Sequence, residues 1–266
     1  MKLKIYQVDS FASQAFQGNP AGVCITEEPL DQKLMLSIAA EMSVSETAFL
    51  SLSNNTLKWF TPTTEVELCG HGTLAVAHIM KERQLLKVGQ SFVFNTLSGE
   101  LEVFIRENDI AMTFPAPKLE QNCSLDQKLI EYLGIRDGEI KAVVSFESKL
   151  IIELNSEEQL LRLQPNYSGL LDCEGRGIAV TSASSSQTID YSARYFGPWV
   201  GINEDPVTGS AHCGLGVYWQ NILGKSELHA YQASERGGYL KLEMLPNNRV
   251  KLIGTAVTTL DAVMTC

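Results

Sequence analysis

Several things are scarce in this chain, and each scarcity removes a class of function. Basic residues are outnumbered, with 21 Lys and Arg against 31 Asp and Glu, so the net charge is −10. A protein that grips nucleic acid or an anionic membrane needs a basic face, and this balance argues against both partners. No apolar run approaches the ~20 residues that a membrane-spanning helix requires. The first residues, Met1-Lys2-Leu3-Lys4-Ile5-Tyr6-Gln7-Val8, read as a strand and not as the apolar core of a signal peptide. The six cysteines, Cys24, Cys69, Cys123, Cys173, Cys213 and Cys266, form no C-x-x-C pair, which removes zinc ribbons and thioredoxin-type redox motifs. Several lie in apolar surroundings, as free thiols do, so the expectation is a reduced, cytoplasmic protein. Neither glycine turn has the lysine or the third-glycine spacing of a phosphate or dinucleotide fingerprint.

What is present is an internal repeat. Glu65-Val66-Glu67-Leu68-Cys69-Gly70-His71-Gly72-Thr73 and Glu204-Asp205-Pro206-Val207-Thr208-Gly209-Ser210-Ala211-His212 each open a stretch of helical character. Each follows an aromatic strand end with a proline, Trp59-Phe60-Thr61-Pro62 and Tyr195-Phe196-Gly197-Pro198. Gly70 and Gly209 are 209 − 70 = 139 residues apart, and Gly99 and Gly238 are again 238 − 99 = 139 apart. The shared order is strand, turn, helix, strand and hairpin, and order and spacing carry the inference because identity between the halves is low. Two helix N-termini facing one another make a site for a small anion, since both offer unpaired N–H groups and positive dipole ends. Local dipoles of this kind override net charge, so an anionic small substrate stays open.

Strands are predicted over residues 3–8, 22–25, 46–50, 57–60, 92–95, 101–105 and 110–114, then 142–146, 150–154, 177–181, 193–196, 228–232, 239–243 and 250–253. A helix is predicted over 31–42, with Asp31 as N-cap and Leu34, Ile38 and Met42 on one stripe. The prolines of Thr113-Phe114-Pro115-Ala116-Pro117 mark a linker. The expectation is α+β, with an N-terminal lobe over 1–116 and a C-terminal lobe over 117–266 whose last strand crosses back. At 29.3 kDa the chain can bury a large core.

Candidate chemistry centres on three residues. Period-2 alternation in Val44-Ser45-Glu46-Thr47-Ala48-Phe49-Leu50 places Glu46 on the apolar, inward face, where desolvation disfavours a charged carboxyl and suits it to general acid/base work. An edge-strand Glu facing solvent fits the same pattern. His71, at a helix N-terminus whose dipole disfavours imidazolium, is a candidate proton donor or acceptor, or a capping residue. Asp205 can orient a base or bind a substrate amine, or serve the turn alone. Ser210 and Thr73 can donate hydroxyl bonds to a carboxylate, or cap their helices. Two-thiol racemisation finds Cys69 in the first turn but Thr208 in the matching position, with Cys213 about one helical turn too late. Cys69 with an acid partner remains open, since a helix N-terminus favours thiolate.

Six motifs stand in order: Gly18-Asn19-Pro20-Ala21-Gly22-Val23, Ser45-Glu46-Thr47-Ala48-Phe49, Trp59-Phe60-Thr61-Pro62, Cys69-Gly70-His71-Gly72-Thr73, Glu204 through Ala211, and Arg236-Gly237-Gly238. On these residues the chain resembles the phenazine-biosynthesis-like (PhzF) isomerase family over nearly its whole length. Within it, the chain is especially similar to the phenazine biosynthesis-like domain-containing proteins. The resemblance implies a diaminopimelate-epimerase-like fold of two lobes, each a sheet around a central helix, with the site in the cleft. It also implies a homodimer, a small carboxylic-acid substrate and no metal or organic cofactor. The best-known family member isomerises a dihydro-hydroxyanthranilate by moving a proton between carbons of one conjugated system. On that pattern Glu46 is the shuttling acid/base, and His71 and Asp205 bind and polarise the substrate. Ser210 and the amides of Gly70–Thr73 and Gly209–Ala211 hold its carboxylate, and Asn19 lines the cleft. Gly72 departs from the family, where alanine is common, and is expected to loosen the turn with little effect on chemistry. The reading is thus a cofactor-independent isomerase. Its alternatives are a non-catalytic ligand- or protein-binding member and an amino- or imino-acid epimerase using Cys69.

Overall fold

The computed structural model describes residues 1–121 and 125–266; Cys123 lies outside the described residues. In chain order the elements are β1 (Lys2–Ser10), β2 (Asn19–Thr26), α1 (Gln32–Met42), β3 (Glu46–Ser51), β4 (Thr56–Phe60), β5 (Glu65–Val66), α2 (Gly70–Glu82), β6 (Ser91–Thr96), β7 (Gly99–Ile105) and β8 (Ile110–Pro115). There follow β9 (Glu120–Gln121), α3 (Gln127–Leu133), β10 (Ile140–Phe146), β11 (Lys149–Leu154), α4 (Glu157–Leu161), α5 (Tyr167–Leu170), β12 (Gly177–Ala183), β13 (Tyr191–Gly197), β14 (Ile202–Asp205), α6 (Gly209–Leu223), β15 (Glu227–Gln232), β16 (Gly238–Leu245), β17 (Arg249–Gly254) and β18 (Ala256–Thr265). Two compact units result, Met1–Phe114 with Lys251–Cys266, and Pro115–Val250. The second unit therefore stops short of 117–266, because the chain returns to the first unit within β17.

In the first unit β1 pairs antiparallel with both β2 and β18. β2 runs parallel to β3, with α1 as the crossover such a pair needs. β3 and β4 pair antiparallel, as do β6 with β7 and β7 with β8. The Asp31 carboxylate caps α1 by accepting from Lys33 N and Leu34 N. The buried stripe is Met35, Ile38 and Ala39, with Leu34 and Met42 at its margin, so the expected stripe is turned toward the next residue. The sheet wraps α2, which touches β1, β2, β3, β7 and β18 and is buried on every side from His71 to Ala77. A helix apolar all round needs such enclosure. Gly72 is part of the fit: a Cβ there would stand 2.8 Å from Trp59 Cδ1 and 3.0 Å from Cys69 Sγ. Glycine at 72 is therefore a steric requirement of this core, not a loosened turn.

The second unit repeats the plan. β9, β10 and β11 pair antiparallel, and β11 runs parallel to β12. β13 is antiparallel to β12 and β14 and parallel to β15, which pairs antiparallel with β16. α6 lies on β11, β15 and β16, with Gly214 seated on the Phe146 ring, where a Cβ would come within 2.7 Å. The short helices α3, α4 and α5, absent from the sequence reading, cover a second apolar cluster through Leu129, Leu133, Leu160 and Leu170. α2, β7 and β8 begin at 70, 99 and 110, and α6, β16 and β17 begin at 209, 238 and 249, each 139 later. Among the described residues no helix is long and apolar enough to cross a membrane.

Candidate active site

The first unit gathers five polar side chains at the start of its central helix. Asn19 opens β2 and Glu46 opens β3, and the parallel register sets Glu46 opposite Ala21. Glu46 is neither on an edge strand nor part of an inside–outside alternation, because β3 is covered on both faces. Its side chain is 14% exposed, and Oε2 lies 3.3 Å from His71 Nε2. That contact has ion-pair distance without hydrogen-bond alignment, and Oε2 has no hydrogen-bond partner among the described residues. Ser45 Oγ also stands 3.3 Å from Nε2. On the other side of the ring Asn19 Nδ2 is 3.3 Å from Nδ1. An amide NH₂ can only donate, so the neutral ring carries its proton on Nε2, toward Glu46 and Ser45. Ser10 Oγ fixes the backbone beneath by donating to the His71 carbonyl at 2.7 Å.

Cys69 is the N-cap of α2, and its sulfur accepts from Gly72 N at 3.3 Å while lying 3.5 Å from His71 Nδ1. This local capping changes which groups are open to a ligand. Thr73 N and Thr73 Oγ1 both donate to the Cys69 carbonyl, at 3.0 and 2.8 Å. The Thr73 hydroxyl and the amides of Gly72 and Thr73 are therefore committed to the helix, and not to a substrate as expected. Gly70 and His71 keep N–H groups with no acceptor among the described residues. The donor atoms of Glu46, Cys69 and His71 lie within 4.8 Å of one another, close enough to hold a metal ion.

In the second unit Asp205 ends β14 as a buried carboxylate. Thr208 is the N-cap of α6 but makes no side-chain cap; its hydroxyl donates to Asp205 Oδ2 at 2.5 Å. Gln232 ties the turn together. Its Nε2 donates to the Asp205 carbonyl at 2.6 Å, and its Oε1 accepts from Thr208 N at 2.9 Å. The same oxygen lies 3.1 Å from His212 Nε2, and His212 Nδ1 lies 2.9 Å from Tyr191 OH. Because Oε1 can only accept, Nε2 carries the proton and Nδ1 accepts from the tyrosine. Burial pulls His212 down to about 4 and pushes the Tyr191 phenol well above its usual range. The N–H groups of Gly209, Ser210 and Ala211 are left without acceptors among the described residues, and the half-buried Ser210 hydroxyl is likewise uncommitted. Cys213 is enclosed, its thiol pushed up to about 12 chiefly by burial, so it stays protonated near neutrality and is no base.

The sequence reading missed the roles of Ser10, Ser45, Thr208, Gln232 and Tyr191. Ser45 and Thr208 stand beside the chosen residues within quoted motifs, so their neighbours were a signal. Gln232 follows Thr208 by 24 residues with nothing local to mark it.

A sheet folded around one central helix, twice over, with polar side chains gathered at each helix start, defines an α+β protein of diaminopimelate-epimerase type. The family described as phenazine biosynthesis-like protein matches residues 8–262, and the chain belongs to that family. It is 47% identical over 262 residues to an uncharacterized isomerase of Halalkalibacterium halodurans, covering 98% of this chain and 97% of that one. It is 37% identical over 289 positions to the phenazine biosynthesis-like domain-containing protein of Homo sapiens, covering all of both. The crystal structure of a PhzF-family protein from Enterococcus faecalis superposes with a TM-score of 0.92 at 35% identity, covering 100% of each chain. The fold alone reaches a hydroxyproline epimerase from Agrobacterium vitis, TM-score 0.59 at 9% identity, covering 99% of this chain and 92% of that one.

Proposed function

We propose that this protein is a cofactor-independent isomerase that moves a proton within a small carboxylic acid. The observation that carries the reading is the Glu46 carboxylate 3.3 Å from His71 Nε2, at the start of a buried helix. Glu46 takes a proton from one carbon and returns it to another of the same conjugated system. His71 polarises the substrate with its Nε2 proton, and the amides of Gly70 and His71 face the negative charge that develops as the proton leaves. In the second unit the amides of Gly209–Ala211 and the Ser210 hydroxyl suit a substrate carboxylate. Asp205, held by Thr208, is suited to a polar or amino group. The isomerase name carried by the Halalkalibacterium halodurans relative supports the reaction class.

A positioned acid/base contributes about 10²–10⁴-fold, or about 3–5 kcal/mol. The test is deuterium uptake from D₂O into small carboxylic acids of a cell extract, followed by mass spectrometry. Wild-type protein is expected to label one or a few acids, and Glu46→Gln to slow labelling about 10²–10⁴-fold while binding the same acids. Wild-type labelling by Glu46→Gln would overturn the assignment. An acid that binds but never gains deuterium marks a binding protein. One specific observation favours a second reading, epimerisation of an amino or imino acid: Cys69 Sγ lies 3.5 Å from His71 Nδ1. That reading expects labelling to stop on thiol alkylation but to continue in Glu46→Gln.

A further inference from the structure

We propose that Glu46, Cys69 and His71 together form a site for a thiophilic divalent cation, best matched by Zn²⁺, and that the bound ion shuts off the proton transfer. The shut-off rests on the function proposed above; the binding does not. The donors are one sulfur, one imidazole nitrogen and one carboxylate oxygen, a set that suits zinc and its transition-metal neighbours over the hard cations Mg²⁺ and Ca²⁺. Metal–ligand lengths of about 2.0–2.3 Å in a tetrahedron require donor-to-donor edges of roughly 3.3–3.6 Å. The Glu46 Oε2 to His71 Nε2 edge is 3.3 Å and the Cys69 Sγ to His71 Nε2 edge is 3.8 Å. All three donors lie within 4.8 Å of one another, so two edges need only a few tenths of an ångström and the third at most about an ångström of side-chain movement.

A second observation points the same way. Glu46 Oε2 is enclosed, lacks a hydrogen bond among the described residues, and still faces the imidazole nitrogen. Once the ring proton moves to Nδ1, the carboxylate oxygen and the bared Nε2 lone pair face one point, an arrangement that a metal ion satisfies. The donors are also held from behind. Gly72 N donates to the sulfur, the β2–β3 ladder fixes the backbone of Glu46, and Asn19 contacts the far nitrogen of the ring. The positive end of α2 opposes a cation with roughly half a charge, against two full negative charges from thiolate and carboxylate. Protons balance as follows. The ion enters as M²⁺ and the Cys69 thiol releases one proton to solvent. The imidazole proton moves from Nε2 to Nδ1, where Asn19 accepts it by turning its amide oxygen inward, and water fills the fourth position. With Oε2 bound to the cation, the Glu46 carboxylate loses basicity and its approach to substrate is occupied by the ion. Among the described residues the second unit has no counterpart, since Thr208 and Ser210 stand where Cys69 and His71 do, and His212 is committed to Gln232 and Tyr191.

The experiment is Co²⁺ titration of the metal-free, untagged protein, read by absorbance. One Co²⁺ per chain is expected to give a thiolate-to-cobalt charge-transfer band with tetrahedral d–d features. A stoichiometric amount of Zn²⁺ should abolish both, and a large excess of Mg²⁺ should leave them. Cys69→Ser is expected to remove the band, and Cys266→Ser, which alters an exposed thiol, to keep it. Glu46→Gln should keep the band but weaken binding by about tenfold or more. No band, a band that survives Cys69→Ser, displacement by Mg²⁺, or unchanged affinity in Glu46→Gln would each overturn the site. Should Cys69→Ser fail to fold, Glu46→Gln decides. The titration needs no substrate, so its failure leaves the deuterium test untouched, and the failure of that test leaves the titration standing.

Discussion

The start of α2 and the start of α6 occupy the same register of the repeat and use their hydrogen bonds in opposite ways. At α2 the N-cap residue serves its own helix: Cys69 Sγ takes Gly72 N–H and the Cys69 carbonyl takes both donors of Thr73. Two amides are left over, and the side chains around them, Glu46, His71, Ser45 and Cys69, are ones that can move or share protons. At α6 the N-cap residue turns away from its helix: Thr208 donates to Asp205, and three amides stay open. A side-chain cap stabilises a helix start by about 1 kcal/mol, so leaving one out is a measurable loss. Gln232 offsets it by accepting Thr208 N–H from another strand. One helix start has become a cluster of proton-bearing side chains over a locally capped turn. The other has become a cradle of amides held by a long-range network.

That contrast is tested most severely at Gln232. Gln232→Leu strips partners from Thr208 N, the Asp205 carbonyl and His212 Nε2, all buried. Each buried group left unpaired costs about 1–3 kcal/mol, and the network as a whole about 3–5 kcal/mol. Urea unfolding followed by Trp219 in the second unit should show the loss, with Trp59 in the first unit little changed. A loss under about 1 kcal/mol would mean that the turn holds itself and that the two helix starts differ less than their bonds imply.

Much of this contrast was legible in the sequence, and its limits have a physical pattern. The repeat was visible because glycine turns recur at 139 residues, and turns are fixed by local backbone chemistry. His71 and Asp205 could be singled out because each sits in or beside such a turn, and Glu46 because strand alternation aimed it inward, although β3 is covered on both faces. Gln232 could not, because its role depends on a strand of the same unit arriving beside α6, and nothing near residue 232 records that. Thr73 was misjudged because a threonine hydroxyl at a helix start serves a ligand or its own backbone equally well on paper. Only the 2.8 Å bond to the Cys69 carbonyl decides between them. Gly72 was misjudged for the same kind of reason, since the neighbour that forbids a Cβ is Trp59, from β4.

Acid should separate the two units. His212 is pulled from 6.5 to about 4 by burial, so between those values the unfolded chain binds a proton that the folded unit refuses. Stability from this group is complete above about pH 6.5 and is lost as pH falls toward 4. The loss is on the order of 3 kcal/mol by the conversion of about 1.4 kcal/mol per unit. Amide hydrogen exchange, corrected for intrinsic rates, should rise over residues 209–223 as pH drops through this window. A variant with His212→Gln should flatten the dependence. Equal acid sensitivity over residues 70–82 would show that the effect is not His212.

The mildest expected change is at Cys69, and it bears most directly on what an N-cap does here. Cys69→Ala removes the acceptor of Gly72 N–H and should cost about 1 kcal/mol, the ordinary value of a cap. Cys69→Ser keeps an oxygen acceptor in the same place and should recover most of that loss. Trp59 is the natural reporter, since it lies against Gly72 in the same core. If the alanine variant cost as much as Gln232→Leu, the sulfur would be holding more than its own helix. Its contacts to the His71 ring at 3.5 and 3.8 Å would then be structural bonds as well as chemical ones, and the first helix start would depend on a network as the second does.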